Sequence, residues 1–388
     1  MNELMENHKN KMQLLAILSL SMANSLVGTG ISPALETIRA YFSEAPQLLV
    51  QMIVSLPSLM VIVVSFFFSM LSRKLSMRTL CLMGYSFFTV GGLLGGVCSS
   101  IYAMVITRVI IGIGYGIMMP LSIGMLAYFY DSDEQQQLNG KVVIWSSVSS
   151  ILCMIAAGYL AGISWRWVFW VYLFGIPCMI LCRKYIPNVT VASEGNQISL
   201  SVIRKTGLYA IGTFVIFVSY FAILNNFSGI ALNEGTVSEA SVGFVMPIMT
   251  VSSLATGQYA EWFKRKLERF TMPAVWVLAV AGFLSLLVRN SLIFSIIGLI
   301  FFGMALALAV STLNAEAGMV CSKDEALSVG TVIMFMRSFG QFISPVLFTG
   351  VSRALTISER KFPYMGSAAL CTAMLFVFWR AAGMRKER

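Results

Sequence analysis

Residues 101–130 read Ile101-Tyr-Ala-Met-Val-Ile-Thr107-Arg108-Val-Ile-Ile-Gly112-Ile-Gly114-Tyr115-Gly116-Ile-Met-Met-Pro120-Leu-Ser-Ile-Gly124-Met-Leu-Ala-Tyr-Phe-Tyr130. A single charge, Arg108, interrupts this apolar stretch. A bilayer-spanning helix needs about 20 predominantly apolar residues, whereas a barrel strand takes only about 9–11. The run is therefore read as a transmembrane helix. Similar runs lie at 12–34, 47–71, 77–98, 141–162 and 165–183. A second set follows at 207–228, 238–262, 271–288, 291–321, 325–351 and 363–383. Lipid offers no partner to backbone N–H and C=O groups, so unbroken runs of this length must be helical. The expected fold is an all-α membrane protein with 12 transmembrane helices.

The composition agrees. Of 388 residues, 57% are apolar and 11% charged, against about 45–50% and 25% in soluble domains. This excludes a disordered chain, a small disulfide scaffold and an ordinary cytosolic enzyme. The net charge of +10 sits in the segments flanking the apolar runs, so it reads as membrane topology, and no nucleic-acid partner is expected. No two of the seven cysteines form a CxxC pair, and the single histidine is His8, in the polar N-terminal tail. No metal cluster, phosphate loop or GxSxG stretch is present. Neither an enzyme nor a cofactor is expected. The first run is long and is followed by eleven more, so it reads as a retained helix, not a cleaved leader.

Lysine and arginine orient the bundle. With a cytoplasmic N-terminus, only Arg39, Arg166, Arg289, Arg353, Arg360 and Lys361 fall in outer segments, and Arg108 and Arg337 fall inside runs. The remaining cations are all on the inner side. Both termini are therefore expected in the cytoplasm, in a multi-pass protein of the cell membrane. The longest inner connection, 184–206, divides the chain into a six-helix bundle at 1–183 and another at 207–388. Weak internal similarity supports the division: Gly140-Lys-Val-Val-Ile-Trp145 matches Gly330-Thr-Val-Ile-Met-Phe335, and Ser69-Met-Leu-Ser-Arg73 falls opposite Gly257-Gln-Tyr-Ala-Glu261. Both offsets are close to half the chain, as expected of related halves.

Arg108-Val-Ile-Ile-Gly112-Ile-Gly114-Tyr115-Gly116 and Trp165-Arg166-Trp167-Val-Phe169 carry a family likeness. The chain resembles the major facilitator superfamily, most closely its 12-span drug and metabolite exporters. The resemblance implies two pseudo-symmetric bundles around a midplane cavity lined by the first, fourth, seventh and tenth helices. It also implies transport by alternating access, with a small-molecule substrate. Gly112 and Gly116 are four apart and share one helix face, where they let a neighbouring helix approach closely. The family latches its halves through the loop after the second helix. Here that loop reads Ser69-Met-Leu-Ser-Arg73-Lys74-Leu-Ser76-Met-Arg78, with serines for the expected glycines and Arg73 at the acidic position. Arg73, Lys74 and Arg78, with Asp131 or Asp133 as pairing partners, are gating candidates. Glu261 keeps the pattern better in the second half. The fifth helix has Ile155-Ala-Ala-Gly158 without the proline that marks antiporters, whereas Gly340-Gln341-Phe-Ile-Ser344-Pro345 resembles a displaced copy. Pro345 is read as a kink or a hinge.

Placing the acids narrows the mechanism. Glu316 alone is appreciably embedded, about five residues before its run ends, or roughly 8 Å at 1.5 Å per residue. It is the candidate proton-sensitive group, the plain alternative being a pair with Lys323 or Arg265. Intramembrane charges are expensive and serve function by default. Arg108 and Arg337 are therefore candidates for substrate contact, and Arg108 also for proton coupling. Packing glycines beside an arginine bonded to carbonyls is the plainer alternative. Asn24, Tyr115, Asn225, Asn314 and Gln341 complete the candidate substrate site. The expected activity is export of a small amphipathic compound or metabolite coupled to protons. Transport of an organic anion or sugar-like metabolite, with or without protons, remains open, as do a non-transporting sensor and a lipid flippase. A monomer in contact with membrane lipids is expected.

Overall fold

The computed structural model describes residues 2–190, 200–288, 290–322, 325–357 and 360–384, without side chains at 2–10, 24–25, 132–133, 136, 200, 326–327 and 384. Among the described residues every regular element is helical. Twelve spans are long and apolar enough to cross a membrane. The chain divides into two compact units, Met1–Gly195 and Asn196–Arg388.

The first unit contains α1 (Asn2–Thr29), α2 (Leu35–Tyr41), α3 (Gln47–Lys74), α4 (Met77–Val97), α5 (Ile101–Phe129), α6 (Ser132–Ile163) and α7 (Gly175–Tyr185). Glycine sets the spacing of its helices. A Cβ at Gly112 or Gly116 would collide with Met60 or Val64 of α3, while one at Gly114 would lie 2.5 Å from the Gly84 carbonyl oxygen of α4. Gly112 and Gly116 thus face α3, as their four-residue spacing predicts, and Gly114 faces α4. Hydroxyls tie α1 to its neighbours: Ser19 to Tyr85 at 2.7 Å, Ser21 to Ser122 at 2.8 Å, and Ser150 to Thr29 at 3.0 Å. Such interhelical bonds contribute about 0.6 kcal/mol each in lipid. The sixth run departs from a plain α-helix. It opens as a 3-10 helix over Trp167–Phe174 before α7 begins.

The second unit contains α8 (Leu200–Asn233), α9 (Glu239–Val245), α10 (Pro247–Gln258), α11 (Ala260–Leu267), α12 (Thr271–Leu287), α13 (Leu292–Met319), α14 (Ala326–Ala354) and α15 (Phe362–Met384). Residues 200–206 of the expected linker form the first turns of α8. The run expected at 238–262 is broken at Met246, because Pro247 lacks an N–H and begins α10 afresh. Gly282 and Gly298 bring α12 and α13 together as Gly84 and Gly114 do for α4 and α5; a Cβ at Gly282 or Gly298 would lie 3.0 or 2.7 Å from the other's carbonyl oxygen. On α14, Gly340 abuts the Phe214 carbonyl oxygen and the Ser344 hydroxyl donates to Val218 O at 2.7 Å. Small residues four apart thus form the seam with α8. Pro345 is buried in the interior of α14 beside that seam.

Candidate functional site

Arg108 lies on α5, seven residues from its start, and is 1% exposed. Its Nη1 donates to the Tyr172 hydroxyl at 3.2 Å and Nη2 to Thr107 Oγ1 at 3.4 Å. The guanidinium carbon stands 5.0 Å from the Phe169 ring centroid and 5.5 Å from that of Tyr172. Space for it comes from Gly95, where a Cβ would lie 2.4 Å from Nη2. No carboxylate pairs with it among the described residues, and Nε has no partner. The first unit thus holds this charge by aromatic faces and hydroxyls in a closed niche. The bonding to backbone carbonyls considered from the sequence is replaced by side-chain and ring contacts.

Glu316 is on α13, three residues from the helix end at Met319. The helix stops earlier than its apolar run, so Glu316 lies about 4–5 Å along the axis from the helix end at 1.5 Å per residue. It accepts a hydrogen bond from the Tyr209 hydroxyl of α8 at 3.3 Å. Of the partners considered from the sequence, Lys323 lies outside the described residues. A small cavity adjoins Glu316 and is lined also by Thr312, Glu268, Arg269, Thr271 and Ala382. Thr312 Oγ1 is buried without a protein partner among the described residues, a condition that costs about 1–3 kcal/mol unless water satisfies it.

The other substrate candidates in the second unit lie on three helices. Asn225 on α8 is 5% exposed, and both its amide atoms lack partners among the described residues. Arg337 on α14 is half-buried, its guanidinium 4.8 Å from the Phe217 ring centroid, with Nε unpartnered among the described residues. Gln341, one turn further along, is buried and Asn314 on α13 is exposed. In the first unit Tyr115 is 8% exposed on α5. Asn24 falls within α1, but its side chain lies outside those described.

Of the gating candidates, Arg73, Lys74 and Asp131 are exposed. Arg78 does not reach Asp131; its Nε donates to the Ile186 carbonyl at 2.7 Å, and Met77 N–H donates to Val189 O at 2.9 Å. The loop is thereby tied to the end of α7 in the same unit. The carbonyl at a helix C-terminus attracts a cation more strongly than a distant, solvated carboxylate does. Asp133 has no described side chain. Glu261 pairs with Lys264 at 3.2 Å within α11. Lys205 Nζ of α8 is 3.0 Å from both oxygens of Glu325, which also accepts from Ser322 N–H. That backbone bond first, then Lys205, holds the Glu325 carboxyl below its ordinary range. A depressed carboxylate stabilises the fold above its unfolded value, and the effect is lost as pH falls through the folded one. Wild type is therefore expected to be more heat-stable than Glu325→Gln at neutral pH, the two melting curves converging in acid.

One pair of contacts was not foreseen. Arg166 Nη1 donates to the carbonyls of Gly96 and Cys98 at the end of α4, at 3.4 and 3.2 Å. Lys361 Nζ donates to the carbonyls of Leu286, Leu287 and Val288 at the end of α12, at 3.3, 3.3 and 3.1 Å. Each cation precedes the last helix of its unit and caps the third. Their spacing of 195 residues, like the internal offsets, is close to half the chain and was the available signal. Lys361 also pairs with Glu234 at 2.7 Å. Trp165 is 5% exposed against Phe169, whereas Trp167 and Trp170 are exposed and stacked on each other at 5.2 Å.

Comparison with known proteins places this architecture. The profile described as Major Facilitator Superfamily matches residues 15–345. The chain is 28% identical over 138 residues, 35% of its length, to an "Uncharacterized MFS-type transporter YcnB" of Bacillus subtilis. It is 23% identical over 159 residues, 41% of its length, to "Multidrug resistance protein 3" of the same organism. These matches span 29% and 30% of the relatives' own lengths. Among solved structures, the nucleoside transporter NupG is similar over 96% of this chain and 98% of its own, with a TM-score of 0.74 at 14% identity. The human organic anion transporter MFSD10 is similar over 95% of this chain and 98% of its own, with a TM-score of 0.65 at 14% identity. At such identities these structures speak for the fold alone.

Proposed function

We propose that this chain, which belongs to the Major Facilitator Superfamily, exports a small amphipathic compound or metabolite across the cell membrane in exchange for protons. It is a multi-pass membrane transporter with twelve candidate spans. The observation that carries the proton coupling is Glu316, an acid within a span that lines a polar cavity and takes a hydrogen bond from Tyr209. Binding a proton removes a charge whose energy depends steeply on the surrounding dielectric. A helix end that alternates between wetter and drier surroundings therefore couples its proton to the conformational cycle. The likeness to a multidrug resistance protein supports export.

In this reading the bundles 1–183 and 207–388, joined by 184–206, carry transport by alternating access. Both termini face the cytoplasm and the protein acts as a monomer. Asn24, Tyr115, Asn225, Asn314, Arg337 and Gln341 contact the substrate. Arg73, Lys74, Arg78, Asp131, Glu261 and Pro345 serve closure at the cytoplasmic side. The first test is Glu316→Gln in proteoliposomes with an internal pH dye. Substrate-driven proton movement should disappear while substrate counterflow persists. Wild-type pH dependence in the variant would reduce Glu316 to a structural role.

A specific observation favours a second reading, transport of an organic anion or polar metabolite. Arg337 and the unpartnered amide of Asn225 offer a cation and a hydrogen-bonding fork on adjacent helices. Arg337→Gln would then abolish uptake of labelled anions while sparing uptake of lipophilic cations.

A further inference from the structure

We infer that α11 and the turn after it form a binding surface for anionic phospholipid headgroups at one end of the second unit. The inference needs neither the substrate nor the proton reading. A run of three cations, Lys264-Arg265-Lys266, follows Trp262-Phe263 and precedes Arg269-Phe270. By sequence these cations are topology signals. In the structure they stand on a short helix of their own, with one face against the bundle and the other exposed.

α11 lies between the end of α10 and the start of α12. Ala260 is buried, and Lys264, one turn on, donates to the Ser311 carbonyl of α13 at 3.4 Å. Phe263 and Leu267 are half-buried. That face belongs to the bundle. Arg265 and Lys266 follow Trp262 by three and four residues, so the three share the other face, and all are exposed. The Lys266 ammonium lies 4.9 Å from the Trp262 ring centroid. α11 ends at Glu268, whose φ of +46° makes a left-handed turn. Beyond it the Arg269 guanidinium lies 4.9 Å from the Phe270 ring centroid. The Phe270 ring is in turn 5.8 Å from that of Trp379, which precedes the exposed Arg380 near the end of α15.

Charge and position identify the occupant. Two acids share the segment 260–270. Glu261 is paired with Lys264 at 3.2 Å, which leaves Glu268 against the exposed Arg265, Lys266 and Arg269. The surface is therefore net positive and suits an anion. Trp262 and Trp379 are 53% and 58% exposed. Rings of this kind settle at the boundary between headgroups and acyl chains, where neighbouring cations meet phosphate. A soluble acidic partner would answer the charges but not the position. The surface adjoins the ends of α10, α12 and α15, which belong to candidate spans that lipid must surround. Basic clusters at such ends attract anionic lipid. The first unit is built differently at the matching connection. There α3 and α4 are joined by Leu75-Ser76 alone, and Arg78 is turned to the Ile186 carbonyl.

Bromine quenching of Trp262 fluorescence tests this on the full-length protein in nanodiscs. The discs hold equal parts phosphatidylglycerol and phosphatidylcholine, with the acyl chains of one lipid or the other brominated. The Trp262 signal is the difference made by Trp262→Phe in each background. Phosphatidylglycerol should quench it more strongly than phosphatidylcholine in the otherwise unaltered protein. In Arg265→Gln/Lys266→Gln that preference should fall at least about fivefold, the share of one cation near an anionic surface. In Arg183→Gln/Lys184→Gln, which removes two exposed cations from the last turn of α7, it should keep its value. Raising the salt from about 0.1 M to about 1 M shortens the Debye length from about 10 Å to about 3 Å, so the preference should collapse. Arg269→Gln, a single exposed change, gives the same reading if the α11 double variant fails to fold. Equal quenching by the two lipids overturns the assignment and leaves the surface to an acidic protein. An equal loss in the α7 variant also overturns it, because any cation would then serve. A preference that survives 1 M salt does so too, since these charges would not be its source.

Discussion

Lys361→Met lowers the stability of the protein by about 3–5 kcal/mol, the loss expected when one member of a buried ion pair is removed. Lys361 is 7% exposed. Its ammonium meets Glu234 at 2.7 Å and three carbonyls at the end of α12. Glu234 in turn accepts from Asn290 N–H at 3.3 Å, at a residue held at φ +53°. One side chain thereby binds the end of α8, the end of α12 and the start of α15. Without it, a carboxylate stays partly buried with no counter-charge, and the last carbonyls of α12 lose the donor that a helix end requires. The dipole at that end adds to the loss. The double variant Lys361→Met/Glu234→Leu should recover much of the stability, because no lone charge remains. Unfolding midpoints of the purified full-length variants measure both effects. Equal midpoints for wild type and Lys361→Met would show that the clamp contributes little.

The same contact shows where sequence reading ends. The fold was legible because lipid leaves backbone groups one solution, and run lengths such as 101–130 therefore map directly onto helices. Gly112 and Gly116 were legible for a similar reason: a four-residue spacing fixes a helix face whatever the neighbour is. Lys361 was not. Position relative to the runs marks it as an outer cation, and nothing local distinguishes a solvated lysine from one folded back onto a helix end 73 to 75 residues earlier. Arg78 failed in the same way, since its partner at Ile186 is a backbone carbonyl and carries no side-chain signature. Glu316 stood out because an acid in an apolar run is rare. Its partner Tyr209 was missed because a tyrosine in such a run is common, and only packing reveals which hydroxyl meets the carboxyl.

Arg108→Met separates stability from transport more sharply than any substitution at Glu316. A guanidinium withdrawn from water without a counter-ion costs several kcal/mol. Against this stand two ring faces, worth up to about 2 kcal/mol each when desolvated, and the bond to Tyr172. The balance is close to zero or unfavourable, so a side chain of similar length and no charge should leave thermal stability unchanged or raise it by about 2 kcal/mol. Alanine is the poorer probe, because it would leave a cavity between α5 and the 3-10 segment at Trp167–Phe174 and mix packing loss with charge loss. If Arg108 serves transport, flux in Arg108→Met falls by at least about tenfold while the protein remains as stable as wild type, the pattern expected where function retains a costly residue. If flux persists and stability drops, the arginine is a structural pin that holds Phe169 and Tyr172 against α5. Paired measurement of flux and unfolding midpoint in this single variant distinguishes the two roles, because each role predicts a change in one quantity and none in the other.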